Sequence, residues 1–132
     1  MIRIVLDTNV LVSAALTPNG NAARIVNLIS VNAEIQVYYS MNILAEYKDV
    51  LSRPRLNIVT EKQTRAVNAI TKMGIMIDPV TSNVPLPDES DRIFYDTAKE
   101  SESILITGNA KHYPKEDSII TPSQFLDRVK EH

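Results

Sequence analysis

The chain has 132 residues, 44% of them hydrophobic and 23% charged, and a formal net charge of −2. This is one domain's worth of ordinary globular composition, which excludes a disordered or collagen-like chain and a uniformly basic nucleic-acid binder. With no cysteine and only two histidines, His112 and His132, a disulfide framework, a thiolate nucleophile and a Cys- or His-rich metal site are excluded too.

Ile2 to Leu6 is a short β-branched apolar run, the pattern of a strand buried on both faces. It breaks at Asp7, too early for a signal peptide's apolar core. No run approaches the ~20 apolar residues of a membrane span, so a cytoplasmic protein without membrane contact is expected. Asn21 to Val31 has helical spacing through Ala22, Ile25, Val26, Leu28 and Ile29. Glu34 to Tyr39 alternates as a second strand. Ser40 to Ser52 puts Ile43, Leu44, Tyr47, Val50 and Leu51 on one helical stripe, and Arg53-Pro54 ends it.

Thr60-Glu61-Lys62-Gln63 has the form of a capping box opening a helix to about Met73, with Gly74 as its stop. Ile75 to Ile77 is a short strand, and 81–87, with two prolines, is a loop. A helix from about Ser90 to Ser101 follows, then strands at Ile104 to Ile106 and, more weakly, Ile119-Ile120. Thr121-Pro122-Ser123-Gln124 is a second capping box, opening the last helix. Strands alternating with helices predict a single α/β domain over 1–132, built on a parallel sheet, with no internal repeat or linker.

In parallel sheets ligands bind beyond the carboxyl ends of the strands. Asp7 follows the first strand directly, before Thr8-Asn9, and Thr107-Gly108-Asn109 follows a later one. Asp7 reads either as a turn cap or as a site acid, and the Thr107 segment as a plain turn or as part of the same rim. Glu46 borders the apolar stripe of its helix, as a solvated glutamate or an inward acid. The densest acidic feature is Asp88-Glu89-Ser90-Asp91, followed by Asp96. Helix capping by Asp88 or Ser90 accounts for part of it, but not for Asp96, more than a turn inside the helix. Asp91 shares the core-facing stripe with Phe94 and Ala98, and a charge so placed needs a cation or a hydrogen-bond partner.

Charge is also unevenly spread: residues 47–74 carry a net +4 and residues 78–102 a net −5. A basic lobe beside an acidic one suits an enzyme that grips a polyanion with one surface and metal ions with the other; two solvated faces are the plainer alternative.

The apolar strand ending in Asp7-Thr8-Asn9, the helical Glu46 after Ser40, the run Asp88 to Phe94, and Ile104-Leu105-Ile106-Thr107-Gly108-Asn109 together resemble the PIN-domain family, in order and spacing, over nearly the whole chain. The run Ile106 to Pro114 is similar to a prokaryotic branch regarded as toxins of toxin–antitoxin pairs. The resemblance implies a three-layer α/β/α sandwich with a central parallel sheet and a Mg²⁺- or Mn²⁺-dependent endoribonuclease. The family's acids carry over to Asp7, Glu46 and Asp91. Its frequent fourth acid falls on Asn109, which brings no charge and puts a second tightly held metal in doubt, with Asp88 or Asp96 as compensating acids. Thr8, Asn9, Ser40 and Thr107 match supporting polar positions. A homodimer and a small antitoxin partner are further implications.

Three converging carboxylates repel one another, by about 4 kcal/mol per pair at ~4 Å and an effective dielectric near 20, unless a hard divalent ion relieves them. The expected chemistry is hydroxide attack on an RNA phosphodiester, giving a 5′-phosphate and a 3′-hydroxyl, with no protein nucleophile. Lys48, Arg53, Arg55 and Lys111 are candidate phosphate contacts by charge and position. His112 is a candidate general acid or phosphate contact, or a loop histidine without a role. Two alternatives stand beside this reading: a catalytically weakened module that binds RNA or a protein partner without cleavage, which Asn109 favours, and a receiver-type phosphoryl-transfer protein. A receiver needs an acidic pair early in the chain, and Asp7 stands alone at its strand.

Overall fold

The computed structural model describes residues 1–130, so His132 lies outside the described residues. The strands are β1 (Ile2–Leu6), β2 (Ile35–Tyr39), β3 (Ile75–Met76), β4 (Ile104–Ile106) and β5 (Ile119–Ile120). The helices are α1 (Thr8–Leu16), α2 (Asn21–Val31), α3 (Met41–Leu51), α4 (Thr60–Met73), α5 (Arg92–Glu100) and α6 (Pro122–Lys130). Three single 3₁₀ turns, Pro54–Leu56, Glu89–Asp91 and Ala110–His112, punctuate the connections.

All five strands lie in one sheet, ordered β3-β2-β1-β4-β5, and every neighbouring pair is parallel. β1 is the middle strand, and Ile4, Val5 and Leu6 have no exposed surface, as a parallel sheet covered on both faces requires. α5 packs against β1, β2 and β4, whereas α1, α2 and α4 pack together, with α2 and α4 also touching β2. The result is the expected three-layer α/β/α sandwich. Among the described residues no helix is long and apolar enough to cross a membrane.

The strand order places the site. The chain leaves β1 toward β2 and β3, then returns to the other side of β1 for β4 and β5. This reversal leaves a crevice between the carboxyl ends of β1 and β4, where open α/β sheets bind ligands. Leu6 is in register with Ile106, so Asp7 and Thr107 emerge side by side.

Local structure departs from expectation in two places. α1 is a helix that carries no amphipathic signal, because its sequence TNVLVSAAL is apolar almost throughout and Val10 and Leu11 are both buried. The first capping box does not form: Val59 occupies the cap, Thr60 is already helical, and Gln63 Nε2 donates to the Ile58 carbonyl at 2.7 Å. The second box forms in full, with Thr121 N donating to Gln124 Oε1 at 2.9 Å and Gln124 N to Thr121 Oγ1 at 3.2 Å. Gly74 stands at the C-cap of α4, where a side chain does not fit: a Cβ would lie 2.4 Å from the Ile70 carbonyl oxygen and 2.9 Å from the Tyr39 ring.

Ser40 caps α3, its Oγ accepting from Ile43 N at 3.1 Å, and is itself buried. Ser40→Ala should therefore lower the stability of the protein by about 1 kcal/mol. Urea unfolding checks this as a lower midpoint with an unchanged slope; an unchanged midpoint would show that the cap contributes nothing.

Candidate active site at the carboxyl edge of the sheet

Asp7 connects β1 to α1. Its backbone N–H donates to the Ile106 carbonyl at 3.0 Å, which locks it beside β4. Its side chain makes no cap bond to the helix it precedes. Instead Asp7 Oδ2 accepts from Thr107 Oγ1 and from the Tyr113 hydroxyl, each at 2.9 Å. The cap reading of Asp7 is thus set aside: its carboxylate turns toward β4 and the loop beyond it. Thr107 is held in turn, its Oγ1 accepting from Asn109 N at 3.0 Å and from Asn9 Nδ2 at 3.4 Å. Asn9 Oδ1 accepts from Gly108 N at 3.0 Å, so Asn9 staples the 107–109 turn to the start of α1.

Glu46 lies midway along α3, half-buried, and its Oε2 accepts from Thr8 Oγ1. This bond brings the glutamate to the residue next to Asp7. The following residue, Tyr47, is fully buried and donates from its hydroxyl to the Leu6 carbonyl. Burial, together with the charges of Asp7 and Glu46, drives its ionisation well above the ordinary tyrosine range.

Asp91 is the last residue of the 3₁₀ turn before α5. Its Oδ2 is buried without a hydrogen-bond partner. His112 Nδ1 stands 3.6 Å from that oxygen, too far for a hydrogen bond. Burial is the main reason the Asp91 carboxyl is pushed up to about 6; the charges of Asp7, Asp88 and Glu46 add to it, and His112 opposes it. Asp7 and Glu46 are thus near enough to Asp91 for their charges to raise its carboxyl. Tyr113 feels the same three acids, and burial plus these charges raise its ionisation far beyond reach in water, so its hydroxyl stays a donor.

The remaining acids have other work. Asp88 is exposed and caps the 3₁₀ turn, its Oδ1 accepting from Ser90 N at 2.9 Å and Ser90 Oγ at 2.8 Å, which holds its carboxyl below the ordinary range. Asp96 is buried, but both its oxygens are engaged by Ser82, through Ser82 N at 3.0 Å and Ser82 Oγ at 2.5 Å. The Arg92 guanidinium donates to the carbonyls of Ser82 and Val84, both at 2.8 Å, and to the Glu89 carboxylate. Arg92 and Asp96 thus clasp the proline-containing loop onto α5 and fix the segment that carries Asp91.

Among the candidate phosphate contacts, only His112 approaches the acids. Lys111 is exposed on the same turn, next to the exposed Asn109. Lys48 is exposed in the last turn of α3, Arg55 is exposed beyond that helix, and Arg53 is paired with Asp49 at 3.1 Å.

Tyr113 is a site residue that sequence reasoning misses. Its only sequence signal is a tyrosine six positions beyond the Thr107 motif, in a loop whose path back to Asp7 depends on the turn at 110–112.

Among the described residues no three His, Asp or Glu side chains already stand close enough to hold a metal ion. The donor chemistry nevertheless suits a hard divalent ion, since every candidate ligand atom is oxygen. A buried carboxylate oxygen with no partner, as at Asp91, is a position that a cation would satisfy.

A PIN-domain family model matches residues 3–111. An uncharacterized protein of Methanocaldococcus jannaschii is 34% identical over 111 residues, covering 82% of this chain and 71% of that protein. The chain therefore belongs to the PIN-domain family, whose members are generally nucleases. Two solved structures share the fold. VapBC2 from Rickettsia felis, bound to a DNA fragment from its promoter, aligns with a TM-score of 0.59 at 17% identity over 91% of this chain and 97% of that one. PAE2754 from Pyrobaculum aerophilum aligns with a TM-score of 0.62 at 16% identity over 99% and 91% respectively.

Proposed function

We propose that this PIN-domain protein is a divalent-metal-dependent endoribonuclease and the toxin of a toxin–antitoxin pair, acting as a cytoplasmic homodimer. The observation that carries the catalytic reading is the buried, partnerless Asp91 Oδ2, within reach of the charges of Asp7 and Glu46. Asp7, Glu46 and Asp91 would hold Mg²⁺ or Mn²⁺, with Asp88 and Asn109 at the margin. When bound, such an ion lowers the pKa of water and stabilises charge on phosphoryl oxygens. The chain's own residues prepare the site: Thr107 and Tyr113 orient Asp7, Thr8 orients Glu46, and the Arg92–Asp96 clasp sets the approach to Asp91. His112 borders Asp91 and Lys111 precedes it on the same exposed turn; both would receive backbone phosphates, with Lys48, Arg53 and Arg55 further along the basic lobe.

The toxin assignment draws support from the shared fold with VapBC2.

The direct test is cleavage of a fluorescent single-stranded RNA with Mn²⁺ and with EDTA. Metal-dependent cutting that yields 5′-phosphate ends is expected, and cutting that persists in EDTA defeats the reading. The weakened-module alternative is favoured by Asn109, which brings no charge to the position of the family's fourth acid; RNA or partner binding without cleavage would select it. Asn109 supplies a further check. It is exposed at the rim and contributes no charge, so Asn109→Asp should tighten Mn²⁺ binding several-fold in calorimetry. An unchanged affinity would put Asn109 outside the coordination shell.

A further inference from the structure

Asp7 receives its two side-chain hydrogen bonds on one oxygen. Thr107 Oγ1 and the Tyr113 hydroxyl both donate to Oδ2, and among the described residues Oδ1 takes none. The proton direction is fixed on both sides. Thr107 Oγ1 already accepts from two N–H groups, Asn109 N and Asn9 Nδ2, so its own proton is left for Asp7. Tyr113 is buried at 4% exposure, and among the described residues its hydroxyl has no other partner.

We infer that Tyr113 is a positioning residue for catalysis: with Thr107 it saturates Asp7 Oδ2, sets the plane of the carboxylate, and leaves Oδ1 as the single oxygen that Asp7 offers to a divalent ion. The inference rests on the metal-dependent reading above and assigns a role within the same site. Tyr113 reaches Asp7 from the loop between β4 and β5, beyond the strand-end residues that define the rim. Its contribution is geometric. A carboxylate free to rotate divides its time between one-oxygen and two-oxygen contact, whereas one pinned through Oδ2 presents a fixed ligand. Partners that orient metal ligands in this way typically carry about 10–100-fold in metal affinity or activity.

Tyr113→Phe keeps the ring in the core and removes only the donor. Mn²⁺ binding by the RNA-free protein, followed by calorimetry, is expected to weaken about 10-fold. The kcat for RNA cleavage should fall by a similar factor, with KM for RNA unchanged. Tyr95→Phe is the control: it removes another tyrosine-to-carboxylate bond at the same loop, from Tyr95 to Glu116 at 2.7 Å, and should leave Mn²⁺ affinity and kcat as they were. Wild-type Mn²⁺ affinity and kcat in Tyr113→Phe, while Asp7→Asn has lost both, overturn the role of Tyr113 and leave the nuclease reading standing. Equal losses in Tyr95→Phe and Tyr113→Phe overturn it as well, since loop anchoring would then be the cause. A wild-type protein that takes up no Mn²⁺ and cuts RNA equally in EDTA overturns the metal reading and the inference together.

Discussion

Asp7→Asn is expected to reduce Mn²⁺-supported RNA cleavage by at least about 100-fold while leaving the fold intact. The substitution is nearly isosteric, and the amide oxygen can still accept from Thr107 and Tyr113, which now meet at Oδ2. The backbone bond from Asp7 N to the Ile106 carbonyl does not depend on the side chain. What disappears is one negative charge at the point where β1 and β4 part. That charge is also one reason the Asp91 carboxyl is raised, so Asp91 should ionise more readily in the variant. Cleavage time courses and circular dichroism, run on the same preparation, give the answer. Wild-type cleavage by a folded Asp7→Asn protein would mean that the activity comes from elsewhere.

The strands and most helices were legible because their residues carry strong local signals. β1 and β4 are apolar runs that a doubly covered parallel sheet demands, and α3 and α5 each show one buried stripe. α1 was not legible, since a helix apolar on nearly every side has no period to find. The box at Thr60 misled for a different reason: the chain enters α4 one residue early, and Gln63 finds the Ile58 carbonyl instead of the cap.

At the site, the resemblance to the PIN domain brought forward Asp7, Glu46 and Asp91; Glu46 is bonded to Thr8, the residue after Asp7, and the charges of both acids reach Asp91. Asp88 takes the capping role that the sequence offers it, whereas the role of Asp96 was hidden. Asp88 satisfies its own turn through Ser90, and Asp96 serves Ser82, fourteen positions away. Partners that distant are decided by how the 77–88 loop lies on α5, which no local pattern records. Tyr113 escaped for the same reason, its bond to Asp7 spanning 106 positions.

Asp91→Asn should stabilise the metal-free protein while it abolishes cleavage. The Asp91 carboxyl ionises near 6 in the folded chain, against an ordinary value of 3.8. Between those two pH values the folded state keeps a proton that the unfolded state has released. Stability therefore falls as pH rises through this window, and the full penalty is present above about 6. The displacement corresponds to at most roughly 3 kcal/mol; water reaches part of the rim, and screening brings this to on the order of 1–2 kcal/mol. A neutral amide carries no such penalty. Thermal unfolding in EDTA at about pH 7.5 should then show the Asp91→Asn protein melting several degrees higher than wild type, with the difference shrinking toward about pH 4. Adding Mn²⁺ should reverse the order, because wild type gains from binding and the variant does not. A metal-free variant no more stable than wild type at that higher pH would mean that the Asp91 carboxylate is already compensated by its neighbours, and the case for a cation between Asp7, Glu46 and Asp91 would lose its physical basis.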